Sequence, residues 1–337
     1  MSTIQTPELE GSSDNLAAGA RRTRSEAARE VLIRNSMVIF MLAATAVFTV
    51  SNPRFATTSN LQTILISAAP FALIAFGQTL VILTGGIDLS VGSIISLSAM
   101  TSSWMIIEGG ASMVPAVTAA IVVGLVVGAV NGFLVSVLQV QPFVATLATL
   151  TAAAGLAYAV GGGAPIAGLP TSYGALANTK ILNFQLPVWI AVVGFIVLLV
   201  MMRRTAFGTR IYAVGGNPVA SQIAGIKVRK VLFLVYLISG ALAGLSGILL
   251  SSRVQSGAPQ LGSGYELSAI AAVVIGGASL SGGRGTVWGT AVGLLLIQTL
   301  NNGLDIMLVP SYWQQVIVGG LIAIAVAVDV FATKHAR

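Results

Sequence analysis

The chain holds ten carboxylates and one histidine in 337 residues, so an acid that interrupts apolar sequence is the first candidate for chemistry. Two such places share a pattern. In LTGGIDLSVGS, residues 83–93, an apolar run stops at Gly85 and Gly86, and Asp88 and Ser90 follow before apolar sequence resumes. In GSGYELSAIA, residues 262–271, Glu266 and Ser268 stand in the same relation, 178 residues further on. At the start of a helix a carboxylate is stabilised by free N–H groups and by the helix macrodipole, so capping is one reading of both acids. The other is that a polar break inside a membrane lines a gate or translocation path, because ionisable groups at that depth are costly and usually functional. The residues alone leave both readings open.

Other chemistry is excluded by what the sequence lacks. Zero cysteines remove disulfides and thiolate metal sites, and His335, three places from the end, cannot build a histidine centre. No Ser-His-Asp set, H-E-x-x-H or G-x-x-x-x-G-K-[ST] occurs. GGASLSGGRG, residues 276–285, is glycine-rich but lacks the Lys-Ser/Thr ending of a phosphate loop. The expectation is a chain with no catalytic residues, no metal and no cofactor, driven by energy from elsewhere.

The elements that carry these residues follow from composition. With 55% hydrophobic and 8% charged residues and a mean hydropathy of +0.92, the chain falls far below the quarter or so of charge that a hydrated surface needs. It reads as an all-α membrane protein. Helices crossing the hydrocarbon core need about 20 apolar residues, and ten candidates are present, at 32–50, 61–83, 88–107, 113–138, 142–160, 187–202, 231–252, 266–279, 285–303 and 312–332. With both termini in the cytoplasm, fourteen of the seventeen Lys and Arg fall inside and only Arg54, Lys180 and Arg253 outside. That asymmetry accounts for the net charge of +7 without nucleic acid. Residues 1–30 read as a disordered cytoplasmic tail, 31–332 as the polytopic domain, and 333–337 as a short cytoplasmic C-terminus. An offset of five spans between the two acidic motifs reverses their topology, so spans 2–5 and 7–10 are candidates for an inverted repeat.

Small residues at spacing four, Gly124/Gly128/Gly132, Gly240/Gly244 and Gly289/Gly293, mark close helix packing. Tyr173, Trp189, Tyr312 and Trp313 are expected in an aromatic belt at the outer interface. Phe76, Gln78, Asn131 and Asn301 are candidates for a substrate pocket. The basic loop 203–230 contains a short helix signal, with Asn217 as cap, Pro218 in first position and Gly225 as stop. With Ala220 and Ser221 in between, this helix is expected either to lie on its own bundle or to dock a cytoplasmic partner, with the basic cluster held at the anionic leaflet.

ILTGGIDLSVGS (82–93), QPFVATLATL (141–150), YAVGGNPVASQIAGIKV (212–228), the block 262–290 and NNGLDIMLVPSYWQQ (301–315) together resemble the permease subunits of bacterial ABC importers for monosaccharides, the ribose permease group. The resemblance covers nearly all of the chain after the tail. It implies ten spans, location in the bacterial inner membrane, a second permease copy or paralogue, a separate cytoplasmic ATPase and a periplasmic sugar-binding protein. It also implies that the Asn217–Gly225 helix couples to the ATPase. The chain departs from the pattern at Ala154-Gly155, where the family carries Arg-Gly, and at Ser268, where it carries an acid. Alternatives are a permease of the same fold for branched-chain amino acids or another small polar solute, and an ion-coupled secondary transporter using Asp88 or Glu266.

Overall fold

The computed structural model describes residues 36–317, 319–320 and 323. The tail at 1–30, the C-terminus at 333–337 and most of the candidate span 312–332 lie outside the described residues. The helices are α1 (Ser36–Ser51), α2 (Thr58–Leu83), α3 (Val91–Ile107), α4 (Met113–Ser136), α5 (Pro142–Val160), α6 (Thr171–Asn178), α7 (Leu186–Arg204), α8 (Ala206–Gly216), α9 (Pro218–Ile223), α10 (Val228–Val254), α11 (Tyr265–Ile275) and α12 (Val287–Ile306). Helical backbone resumes at residue 311. β1 (Ile166–Ala167) pairs antiparallel with β4 (Ser256–Gly257), and β2 (Lys180–Ile181) with β3 (Phe184–Gln185). Each strand has two residues, so the fold is all-α.

A helix stands at each of the ten sequence positions, and five of them (α2, α4, α5, α7 and α10) are long and apolar enough to cross a bilayer unaided. α2 has 26 residues, about 39 Å of helix against a hydrocarbon core of about 30 Å. It starts on a Thr57 cap, whose Oγ1 accepts the Asn60 N–H at 3.3 Å, and ends before Gly85, where φ is +80°. α2 and α10 form the buried centre. α10 packs along α4 where glycine meets glycine: a Cβ on Gly240 would strike the Gly124 carbonyl, and one on Gly128 the Tyr236 carbonyl. Backbones this close exchange many dispersion contacts, which replace the hydrophobic drive that lipid cannot supply. α11 and α12 meet in the same way across Gly276, Gly289 and Gly293.

α3 and α11 both begin after a chain that turns back into the bundle. Residues 86–90 return along α2, while 257–262 descend along α3, with Gly257 against Ala99 and Ser103 and Gly262 against Gly92 and Ile95. α11 has only 11 residues, about 16 Å, so it covers roughly half a bilayer. The two breaks touch each other, because a Cβ on Gly92 would meet both Gly262 and the Glu266 carboxylate. This contact joins the two acidic motifs, at the chain break before α3 and at the start of α11.

Three expectations change. Asp88 is not in the first turn of α3, which starts at Val91; it lies in the returning chain, whereas Glu266 is in the first turn of α11. Tyr173 is fully buried, with its hydroxyl 3.0 Å from Ser102 Oγ and 2.7 Å from Ser251 Oγ, so it is a core pin and no interface residue. The loop 203–230 is mostly helical, since α8 occupies the segment before α9.

Candidate translocation and coupling sites

Three places gather the polar residues. The first surrounds Asp88. Its Oδ1 accepts the Ser90 N–H at 3.0 Å and the Ser90 hydroxyl at 2.6 Å, and its Oδ2 accepts the Ser239 hydroxyl of α10 at 2.9 Å. Asn131 of α4 donates to Ser90 Oγ at 2.8 Å and accepts from Thr149 Oγ1 of α5 at 2.6 Å. Thr146 donates to the Ile87 carbonyl at 3.1 Å. With the Gln78 amide turned so that both its atoms pair, Nε2 donates to the Asp88 carbonyl at 3.1 Å and Oε1 accepts the Asp88 N–H at 3.2 Å. Asp88, Ser90, Gln78, Asn131 and Ser239 are all fully buried. Residues 87–89 make no backbone–backbone hydrogen bond among the described residues. Gln78 of α2 and Thr146 of α5 therefore supply backbone partners that water would otherwise provide, while Asn131 of α4 and Ser239 of α10 hold the Ser90 and Asp88 side chains. The network is a clamp that holds the returning chain. It answers the alternatives at Asp88 with a third one: the carboxylate neither caps a helix nor faces an open path.

Gln78 and Asn131 therefore belong to this clamp and not to a pocket, and Phe76 lies in the core with its ring 5.8 Å from that of Phe195. The Tyr236 hydroxyl is buried against Gly86 and has no hydrogen-bond partner among the described residues. Sequence reasoning missed Ser239, Thr146, Thr149 and Tyr236. The only signal for the threonines was their spacing of three in FVATLATL, which puts both on one helix face.

The second place is a cavity of about 610 Å³ beside the start of α11, lined by Ser263, Gly264, Tyr265, Leu267, Ser268, Asn301, Ser311, Gln314, Gln315 and Gly319. Ser268 and Asn301 are brought together here. Among the described residues the lining offers hydroxyls and amides but no charged side chain. Glu266 is absent from the lining; its Oε1 accepts the Gly264 N–H at 3.2 Å and its other oxygen lies against Gly92, in the first turn of α3. There the free N–H groups and the helix dipole favour a carboxylate. Gln314 and Gln315 were not anticipated. Tyr312 and Trp313 are exposed nearby, with ring centroids 6.3 Å apart, while Trp189 donates to the Ile181 carbonyl at 2.9 Å.

The third place is α9 and the chain it rests on. Asn217 Oδ1 accepts the Ala220 N–H at 2.9 Å, Pro218 takes the first helical position, and Gly225 has φ +82°. Val219 (68%) and Ile223 (84%) are exposed, an apolar pair with nothing covering it. Ser221, by contrast, is buried against the bundle. The α8–α9 joint sits on a knot of three chain segments. A Cβ on Gly215 would strike the Leu83 carbonyl, and that carbonyl accepts the Gly283 N–H at 2.9 Å. Gly85, with its positive φ, ends α2 in the same knot, and Gly282 and Gly283 belong to the α11–α12 loop. The Tyr212 hydroxyl of α8 donates to the Gly285 carbonyl at 2.9 Å. Burial pushes the Tyr212 phenol above its usual value, against a smaller opposing pull from Arg203, which keeps it a neutral donor. The end of α2, the end of α8 and the α11–α12 loop thus meet in one contact region.

Residues 60–326 match the family described as branched-chain amino acid transport system / permease component. The ribose import permease protein RbsC of Bacillus subtilis is 45% identical over 285 residues, covering 84% of this chain and 88% of that protein. RbsC of Escherichia coli K12 is 40% identical over 303 residues, covering 88% and 94%. The D-allose transport system permease protein AlsC of the same organism is 35% identical over 297 residues, covering 88% and 91%. No solved structure matches the chain. The family consists of transport permeases and not enzymes, and with its apolar helices the chain is a multi-pass protein of the inner membrane. Taken with the returning chains before α3 and α11, the matches identify this protein as a member of the branched-chain amino acid transport system / permease component family.

Proposed function

We propose that the chain is the membrane subunit of an ATP-driven importer of a monosaccharide, ribose or a closely related sugar. The observation that carries this reading is the 45% identity to a ribose import permease, over most of both chains. The cavity beside α11 supports it: Ser268, Asn301, Gln314 and Gln315 suit a neutral polyhydroxyl solute. The printed family description favours a second reading, transport of branched-chain amino acids. A zwitterion leaving water needs ionic partners, however, and no charged residue lines the cavity among the described residues. The cavity is half open, which fits a path completed by a second permease copy or a paralogue.

In this reading the 203–230 face is cytoplasmic and α9 is the coupling element. Val219, Ala220 and Ile223 form the surface offered to a separate ATPase, while Ser221 fixes the helix to its own bundle. Closure of the ATPase moves α9. The knot at Leu83, Gly215 and Gly283 passes the movement to the α2–α3 turn and to the α11–α12 loop. Because α3 and α11 start inside the bundle, small shifts of their first turns open the central path on one side and close it on the other. Sugar arrives from a periplasmic binding protein. The residues proposed for the path are Ser268 and Asn301, with Glu266 and the pair Gly85–Gly86 positioning the broken helices. Asp88 and Ser90 serve the path only by holding chain 86–90 in place.

The experiment is a transport panel. The chain, reconstituted with its ATPase and binding protein, is given labelled ribose, allose, arabinose, galactose, leucine and valine. Uptake of a pentose or hexose with background leucine supports the assignment; saturable leucine uptake without sugar uptake overturns it.

A further inference from the structure

Outside the proposed path and next to the end of α9, one cavity gathers cations with no acid among the described residues to balance them. It has a volume of about 380 Å³ and lies between α8 and the start of α10, where Arg210, Lys227 and Lys230 meet Phe207, Val231 and Leu234. The stretch from Arg203 to Lys230 contains six basic residues and no carboxylate. No acidic side chain among the described residues lines the cavity. α10 starts here without a side-chain cap, so its first free N–H groups add to the positive field.

The order of residues says what kind of anion fits. Lys227, Lys230, Val231 and Leu234 are spaced three, four and seven apart and share one face of α10. Along that face two cations stand at the helix end, and two apolar side chains follow one turn deeper toward the bilayer. α8 adds Arg210 and, three residues away, Phe207 to the same cavity. The α10 wall grades from cationic to apolar in an order that matches an amphiphile with an anionic head and hydrocarbon tails. A soluble anion would gain nothing from the apolar wall, and an acidic protein segment would have to lay its polar backbone against it.

We infer that the cavity framed by Arg210, Lys227 and Lys230 is a binding site for the phosphate headgroup of an anionic phospholipid, whose acyl chains lie along the half-buried Phe207 and Leu234. The site requires only that the chain sits in a bilayer, so it stands or falls independently of the sugar and of the ATPase. Lipid bound there braces the Gly225–Lys227 link between α9 and α10, which gives the membrane a hold on the moving element.

The test is lipid retention by the purified full chain, measured by native mass spectrometry after titration with phosphatidylglycerol or phosphatidylcholine. Arg210→Gln/Lys227→Gln/Lys230→Gln is compared with Arg203→Gln/Arg204→Gln/Arg229→Gln, which removes the same charge from outside the cavity. Both variants are checked for a single monodisperse peak, and the three single cavity variants are titrated as well. At about fivefold per cation near the surface, the cavity triple variant is expected to bind phosphatidylglycerol about a hundredfold more weakly. The control should change less than about threefold, with phosphatidylcholine weak throughout. Equal losses in both triple variants would overturn the site in favour of diffuse surface charge. Displacement of the lipid by millimolar inorganic phosphate would overturn the lipid assignment, as would equal binding of the two lipids.

Discussion

Replacing Asp88 separates a clamp from an ion carrier. In Asp88→Ala, the Ser90 N–H, the Ser90 hydroxyl and the Ser239 hydroxyl all lose their acceptor inside a fully buried region. An unsatisfied buried donor costs about 1–3 kcal/mol. The two hydroxyls can turn toward carbonyls of their own helices, so the sum is about 3–5 kcal/mol rather than the full threefold value. In Asp88→Asn the oxygen facing Ser90 remains, and the new amide donates to Ser239 Oγ, which rotates to accept. The expected cost is about 1 kcal/mol, for exchanging a charge-assisted bond for a neutral one. Thermal unfolding of the purified protein should therefore fall by about 1–2 °C for Asn and by about 4–7 °C for Ala. Uptake by the reconstituted transporter should stay above half of wild type for Asn. An ion-coupled mechanism predicts the reverse for function, because the amide cannot carry a proton or neutralise a cation. A stable Asn variant without transport, or an Ala variant as stable as wild type, would refute the clamp.

Gly215→Val drives a branched side chain into the Leu83 carbonyl and the Gly283 N–H, a closer backbone approach than at Gly240. It should prevent recovery of folded protein, read as loss of the monodisperse peak on gel filtration. Val219→Glu/Ile223→Glu puts two charges on the exposed face of α9 and should abolish co-purification with the ATPase while membrane insertion, followed by protease protection, is unchanged. Asn217→Ala removes the cap on Ala220 N–H and should cost about 1 kcal/mol of α9 stability, read as faster amide exchange at residues 220–223. Gly240→Leu drives a side chain into the α4 backbone and should prevent recovery of folded protein, whereas the same change at Gly155, which faces open space, should be tolerated.

Much of this was legible in the sequence because lipid permits few solutions. Backbone polar groups must be satisfied within each span, so hydropathy located the helices, and glycines at spacing four marked where backbones meet. The start of α9 was legible because a cap, a proline and a left-handed glycine act locally. The role of Asp88 was not. Its network runs through Ser90 and Ser239, then from Ser90 through Asn131 to Thr149, so it draws on three other helices, and no local pattern reports that these side chains converge around one carboxylate. Tyr173 was misplaced for a related reason: an aromatic residue near a span end looks the same whether it faces headgroups or two serines of neighbouring helices. Gln78 and Asn131 read as pocket residues because polar side chains in apolar helices suggest solute, yet here they replace the water missing around residues 86–90. The α8 helix was hidden by the glycines in its sequence, which local propensity counts against a helix but tertiary contact requires at Gly215.

The central claim is that a chain without its own nucleotide site moves sugar only when a separate ATPase works on α9. The direct measurement is ATP-dependent uptake of labelled ribose into proteoliposomes with one component omitted at a time. Uptake against a gradient is expected only when permease, ATPase, binding protein and ATP are all present. Uphill accumulation by the permease alone, driven by a proton or sodium gradient, would contradict the account.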